Sequence, residues 1–162
     1  MMLVFLDTEF TDLLDCDLIS IGMVSLDGEH SLYLERSDYQ ADWCSAFVRA
    51  AVLPQLGHSS AVDRAELAER LAAWFATLQT DVVVACDNNT DWELLLDAMG
   101  EHRPDNLIGC YSLQETMGIA GFHAAAARYH EHAPWHHALH DAQAHRHGWM
   151  AVQDYINEPE DE

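Results

Sequence analysis

The stretch Leu3-Val4-Phe5-Leu6-Asp7-Thr8-Glu9-Phe10-Thr11 joins an apolar run to two carboxylates. Residues 3–6 read as a buried strand, and Asp7 and Glu9 follow at its end, spaced i, i+2. Alternation along a strand turns both side chains to one face. Two like charges that close repel, and each is driven toward its protonated form unless a cation sits between them. Hard divalent cations such as Mg²⁺ or Mn²⁺ take such an oxygen pair. A strand end that simply meets water also carries solvated carboxylates, so the reading turns on what lies downstream.

Residues 18–26 alternate as a second strand, Asp27-Gly28 is a hairpin turn signal, and residues 30–35 return as a third. Residues 60–78 form the clearest helix. Ser60 and Asp63 are alternative N-caps, and Leu67, Leu71, Trp74, Phe75 and Leu78 recur at helical spacing. The short apolar run 82–86 is a buried central strand, residues 92–99 a helix, and residues 107–111 a further strand. Ser112-x-x-Glu115 predicts a capped short helix. Residues 138–155 predict a last helix that buries Leu139, Ala142, Trp149, Met150 and Ile156. This order predicts an α/β fold: a mixed five-stranded sheet, an antiparallel meander plus parallel strands, flanked by helices.

The chain of 162 residues suits one domain, expected over 1–156, with residues 157–162 as an acidic, Pro-containing tail. Nothing approaches the run of roughly 20 apolar residues that a membrane span needs. No basic segment precedes the N-terminal apolar run, which therefore reads as a strand and not a signal peptide. Cys16, Cys44, Cys86 and Cys110 show no Cys-x-x-Cys spacing. That disfavours a disulfide framework or structural zinc and fits a reducing cytoplasm, with Cys86 and Cys110 as core thiols. There are 28 acidic residues against 7 basic ones, all arginine, for a net charge of −21. This excludes broad, non-specific duplex binding, which relies on phosphate neutralisation. It leaves room for a site whose own metals supply positive charge.

Two further clusters carry chemistry. In Cys86-Asp87-Asn88-Asn89-Thr90-Asp91-Trp92 a buried strand delivers the chain into a polar loop, with a helix starting around Asp91. Carboxylates at strand ends and helix N-termini are held rigidly enough to bind metal, although Asp, Asn and Thr are also ordinary cap and loop residues. In Pro134-Trp135-His136-His137-Ala138-Leu139-His140-Asp141, His136 lies in the loop before the last helix and Asp141 on its first turn. Eight of the eleven histidines fall between His123 and His147. The i, i+4 pairs His136/His140, His137/Asp141 and Asp141/His145 therefore offer a rival, His-rich metal site for Zn²⁺ or Ni²⁺.

With these three clusters in view, the chain resembles the DEDD superfamily of 3′–5′ exonucleases in its histidine-containing (DEDDh) branch, most closely the small stand-alone exoribonucleases. The resemblance rests on Asp7-Thr8-Glu9, on Asp91 entering a helix, and on His136 with Asp141 five residues later, and it spans Asp7 to Asp141. Thr90 stands where the superfamily has an aromatic before the second-motif Asp, so Asp87 competes with Asp91 as the third carboxylate.

The resemblance implies a ribonuclease H-like fold and metal-dependent phosphodiester hydrolysis at single-stranded 3′ ends, with two divalent cations, Mg²⁺ or Mn²⁺. Asp7 would bridge the ions, Glu9 and Asp141 would complete one shell, and Asp91 would support the other. His136 would take a proton from the attacking water, a role that suits imidazole near neutral pH. Phe10 and Thr8 are the substrate-contact candidates, Phe10 by stacking on a terminal base. RNA is favoured over DNA, and dimerisation, common in the resembling families, leaves a homodimer open. The scarcity of basic residues suggests few phosphate contacts and short substrates. The competing class is a non-catalytic module: a nuclease-like or His-rich domain that binds metal or protein.

Overall fold

The computed structural model describes residues 1–57 and 60–157. Its opening strand outruns its apolar residues: β1 spans Met2–Phe10, so Asp7 and Glu9 lie inside a strand and not past its end. The reason is pairing. β2 (Leu18–Ser25) runs antiparallel to β1 and matches Asp7 with Gly22, Thr8 with Ile21 and Glu9 with Ser20. β3 (Ser31–Glu35) completes the meander on β2. β4 (Val82–Cys86) and β5 (Leu107–Ser112) add parallel strands on the other side, giving the order β3-β2-β1-β4-β5.

As the central strand, β1 is covered on both faces, and its alternation sorts its residues between two cores. Val4 and Leu6 pack with Leu67, Leu71 and Phe75 of α2 (Arg64–Thr77) and with Leu94, Leu95 and Met99 of α3 (Asn89–Met99). Phe5 faces the other way, into a cluster with Val24, Ala85 and Ala142, the last from α6 (Ala138–Asn157). Val4, Phe5 and Leu6 are wholly buried, each contributing roughly 1.5–3 kcal/mol. The same alternation carries Asp7 and Glu9 to the α6 face and Thr8 to the α3 face.

Three smaller helices complete the chain: α1 (Ala46–Ala51), α4 (Gln114–Met117) and α5 (Phe122–His130). Neither α1 nor α5 was legible from apolar periodicity, being six and nine residues long. Asp63 caps α2 by accepting from the Glu66 N–H, so the helix starts after Ser60. α3 begins at Asn89, earlier than the expected 92, because Asn88 is its cap. Ser112 is not the N-cap: it ends β5 and its Oγ accepts the Gln114 N–H at 3.4 Å, while Leu113 holds the cap position of α4.

Helix α6 buries Ala138, Ala142, Ala144, Gly148 and Val152, whereas Met150 and Ile156, expected inside, are exposed. Small residues face inward because α6 lies close against the sheet: a Cβ on Gly22 would sit 2.2 Å from the Leu139 nitrogen. Asn157 is the last helical residue, and the rest of the expected tail, 158–162, lies outside the described residues. All four cysteines are free, and Cys110 is exposed, unlike the core thiol expected. Among the described residues, no helix is long and apolar enough to cross a membrane.

Candidate active site

At the C-terminal ends of β1 and β4, facing α6, lies a cavity of about 580 Å³. Asp7, Thr8, Glu9, Asp87, His136, Asp141 and His145 are among the residues that line it. Alternation explains the first set: Asp7 and Glu9 share the β1 face that Phe5 uses to meet α6. Asp87, one residue past β4, continues the face of Ala85. Asp141 and His145 are i, i+4 on α6 and therefore neighbours on one helix surface.

Two groups of three candidate ligands form there. Ligand atoms of Glu9, His136 and Asp141 lie within 4.8 Å of one another, as do those of Asp7, Asp87 and His145. Each group draws on both the sheet and α6 or the loop before it, so neither exists until the helix docks. Among the described residues, no such group is built of histidine alone. His140 is turned away, its Nδ1 2.9 Å from the Tyr129 hydroxyl, and His137 stacks on Tyr33.

Asp91 belongs to neither group. Its Oδ1 accepts the Thr8 backbone N–H at 3.2 Å and the Thr8 hydroxyl at 2.5 Å, and its Oδ2 accepts Asn88 Nδ2 at 2.8 Å. Thr8 meets it because Thr8 points to the α3 side of the sheet. The carboxylate thus braces α3 against β1, and only 1% of the residue is exposed. Thr8, expected to touch substrate, commits its hydroxyl to this brace. Phe10 lines a separate, adjoining hollow with Glu9, Leu13 and Phe47.

Asp141 is held through one oxygen and closely approached at the other, which has no hydrogen-bond partner among the described residues. The His136 backbone N–H donates to its Oδ2 at 3.1 Å, and His130 Nε2 lies 3.2 Å from its Oδ1. His130 comes from α5 and stacks on Trp135 with ring centroids 3.7 Å apart. His136 occupies the left-handed region at φ 61°, which costs a non-glycine residue of order 1–3 kcal/mol and clusters at functional sites. Gln55 steadies that loop by donating to the Trp135 and His136 carbonyls. His136 also meets Phe47 edge-on at 4.9 Å.

The electrostatics are those of buried like charges. Burial drives the Asp7 carboxyl well above the usual range, and the charges of Asp91, Asp141, Glu9 and Asp87 push it the same way. Glu9 is raised to about 8 by burial and then by Asp141. Asp91 is raised to about 8 by burial, against the opposing hydrogen bonds from Thr8. Asp141 is raised to about 7 by burial, against the His136 N–H. Without a cation the charged form of the cluster is disfavoured. A divalent ion is the counter-charge this arrangement fits.

Sequence reasoning did not single out His130 or Trp135 as site residues, and weighed His145 only in the rival His-rich site. For His145 a signal existed, its i+4 spacing from Asp141. For His130 there was none, because α5 itself was not legible, and Trp135 shows its role only by stacking on His130.

No protein-family model and no curated protein matches the chain. Its fold is similar to that of S. pombe Pop2p, solved in its Mg²⁺- and Mn²⁺-bound form. The two superpose with a TM-score of 0.66 over 98% of this chain and 86% of that one, at 17% identity. The likeness establishes the architecture, a ribonuclease H-like mixed sheet flanked by helices.

Proposed function

We propose that this chain is a metal-dependent 3′–5′ exonuclease of the DEDD superfamily, in its histidine-containing branch, acting on single-stranded 3′ ends, RNA before DNA. The observation that carries the reading is the convergence of Asp7, Glu9, His136 and Asp141 on one cavity, from a strand, a loop and a helix. A bland acidic surface would leave these carboxylates in water; here they are mostly buried and share one wall. The Mg²⁺ and Mn²⁺ in the structural neighbour support divalent cations as the cofactors.

Glu9, Asp141 and Asp7 would hold the cations, with Asp87 or Asp91 as the further carboxylate. When bound, divalent cations activate water toward a phosphodiester and stabilise charge on the departing 3′ oxygen. The protein's own contribution is placement. His136, half-buried beside Glu9 and Asp141, accepts the proton of the attacking water at its imidazole. Its backbone N–H fixes Asp141 at the same time, so base and ligand move as one unit. Phe10, with exposed Leu13 and Phe47 around the adjoining hollow, offers an apolar surface for a terminal base. Among the described residues no arginine lines the main cavity, which supports few phosphate contacts and short substrates.

The test is digestion of 3′- or 5′-labelled single-stranded RNA and its DNA counterpart with Mg²⁺ or Mn²⁺, with EDTA and Asp7→Ala as controls. Stepwise 3′ shortening abolished by both controls is the expected result. Intact substrate under every metal condition would turn the reading to a non-catalytic metal- or protein-binding module. Processive digestion of long RNA would overturn the short-substrate part.

A further inference from the structure

We infer that His145 is a metal ligand, and that with Asp7 and Asp87 it builds a nitrogen-containing cation site that prefers Mn²⁺ to Mg²⁺. This rests on the reading above that the cavity holds the catalytic cations, and it names which residues hold one of them.

Three observations converge. Asp7, Asp87 and His145 present ligand atoms within 4.8 Å of one another, from β1, the end of β4 and α6. His145 Nε2 stands 3.9 Å from Asp87 Oδ2. That is too far for a hydrogen bond, and it leaves the two groups facing each other with neither satisfying the other. The other oxygen, Asp87 Oδ1, accepts Asn88 Nδ2 at 2.8 Å, which sets the carboxylate's orientation. The imidazole is restrained by packing alone. Its side chain is 13% exposed, its ring leans on Phe122 at 6.4 Å, and its Nδ1 is buried without a hydrogen-bond partner.

Asp91, the alternative carboxylate, has both oxygens taken by Thr8 and Asn88. Using its Oδ1 would disturb the brace between β1 and α3, and among the described residues it is Asp87, not Asp91, that lines the cavity. Asp87 needs no such rearrangement, since its Oδ2 already faces the cavity. The consequence is chemical. Mg²⁺ favours oxygen donors and retains its waters, whereas Mn²⁺, which shares the taste for carboxylates, is a first-row transition ion and accepts an imidazole nitrogen beside them more readily. Glu9, His136 and Asp141 form the neighbouring group, and Asp7 stands on the same strand face as Glu9, so the two sites share one cavity.

The experiment is cation binding to the EDTA-treated full chain, with no substrate present. Free Mn²⁺ is followed by its electron paramagnetic resonance signal, Mg²⁺ binding by calorimetry, and the ratio of affinities is compared with that of His145→Gln. The expected result is a loss of Mn²⁺ affinity at one site by about 10–100-fold, with Mg²⁺ affinity held within a few-fold. Nitrogen modulation of the bound Mn²⁺ signal is measured in His136→Gln, which removes the histidine of the neighbouring ligand group. It should persist there and vanish when His145→Gln is added.

An unchanged Mn²⁺/Mg²⁺ ratio, or no nitrogen coupling in His136→Gln, overturns the inference. If His145→Gln does not fold, the nitrogen signal in His136→Gln and the Mn²⁺ titration of Asp87→Asn decide the matter. Nitrogen-coupled Mn²⁺ in a chain that hydrolyses nothing would sink the nuclease reading and leave this site standing. Hydrolysis indifferent to His145 in both metal binding and Mn²⁺ preference would do the reverse.

Discussion

Thr8 and Asp91, 83 residues apart in sequence, are joined by two hydrogen bonds to a single carboxylate oxygen. The bond pair ties the first turn of α3 to the central strand at the edge of the cavity. Thr8→Val keeps the shape and removes the hydroxyl donor. The expected cost is about 1–3 kcal/mol, the penalty for stripping a buried acceptor of its partner, read as a lower urea midpoint in EDTA. An unchanged midpoint with a raised KM would return Thr8 to the substrate-contact role.

The raised carboxyls give the metal-free protein an unusual pH profile. Glu9 and Asp91 near 8, Asp141 near 7 and Asp7 well above its usual range hold protons that the unfolded chain releases near pH 4. Between these limits the folded state binds more protons, so stability falls as pH rises from about 5 toward 8. In EDTA, Tm should decline across that window. Added Mn²⁺ or Mg²⁺ should raise Tm more at pH 8 than at pH 5, with proton release on binding. A flat Tm profile in EDTA would show that these groups are not held protonated.

His136 combines a reacting imidazole with a left-handed backbone. His136→Asn preserves a residue that tolerates φ near 61° while deleting the base. Hydrolysis should fall by about 10²–10⁴-fold with Tm held within a few degrees. A loss of less than tenfold would remove His136 from the proton-transfer step.

Gly22 sits opposite Asp7 in the β1–β2 register and underlies the start of α6. In Gly22→Ala the new Cβ meets only backbone atoms, at 2.2 to 2.4 Å, so α6 must move. We expect a destabilisation of about 1–3 kcal/mol. Mn²⁺ affinity should fall as well, because Asp141 and His145 both ride on that helix. A loss of stability with metal affinity intact would show that the cavity tolerates the shift.

The local sequence determined a good deal. Apolar runs and the Asp27-Gly28 turn were enough for the five strands, because a buried strand and a tight turn each leave a signature within a few residues. Asp7 with Glu9 on one face follows from the two-residue period of a strand, and His136 before Asp141 from a helix start. What only the tertiary structure decided are relations between elements. Short α5 buries Phe122 and brings His130 against Asp141, and no periodicity announces either. The sequence reading prefers Asp91 as the third carboxylate and keeps Asp87, four residues earlier, as its competitor. Docking separates them: Asp87 continues the β4 face toward α6, and Asp91 turns to the β1 residue that points the opposite way. Alternation within one strand is a local rule, but which helix covers which face depends on packing across the whole sheet.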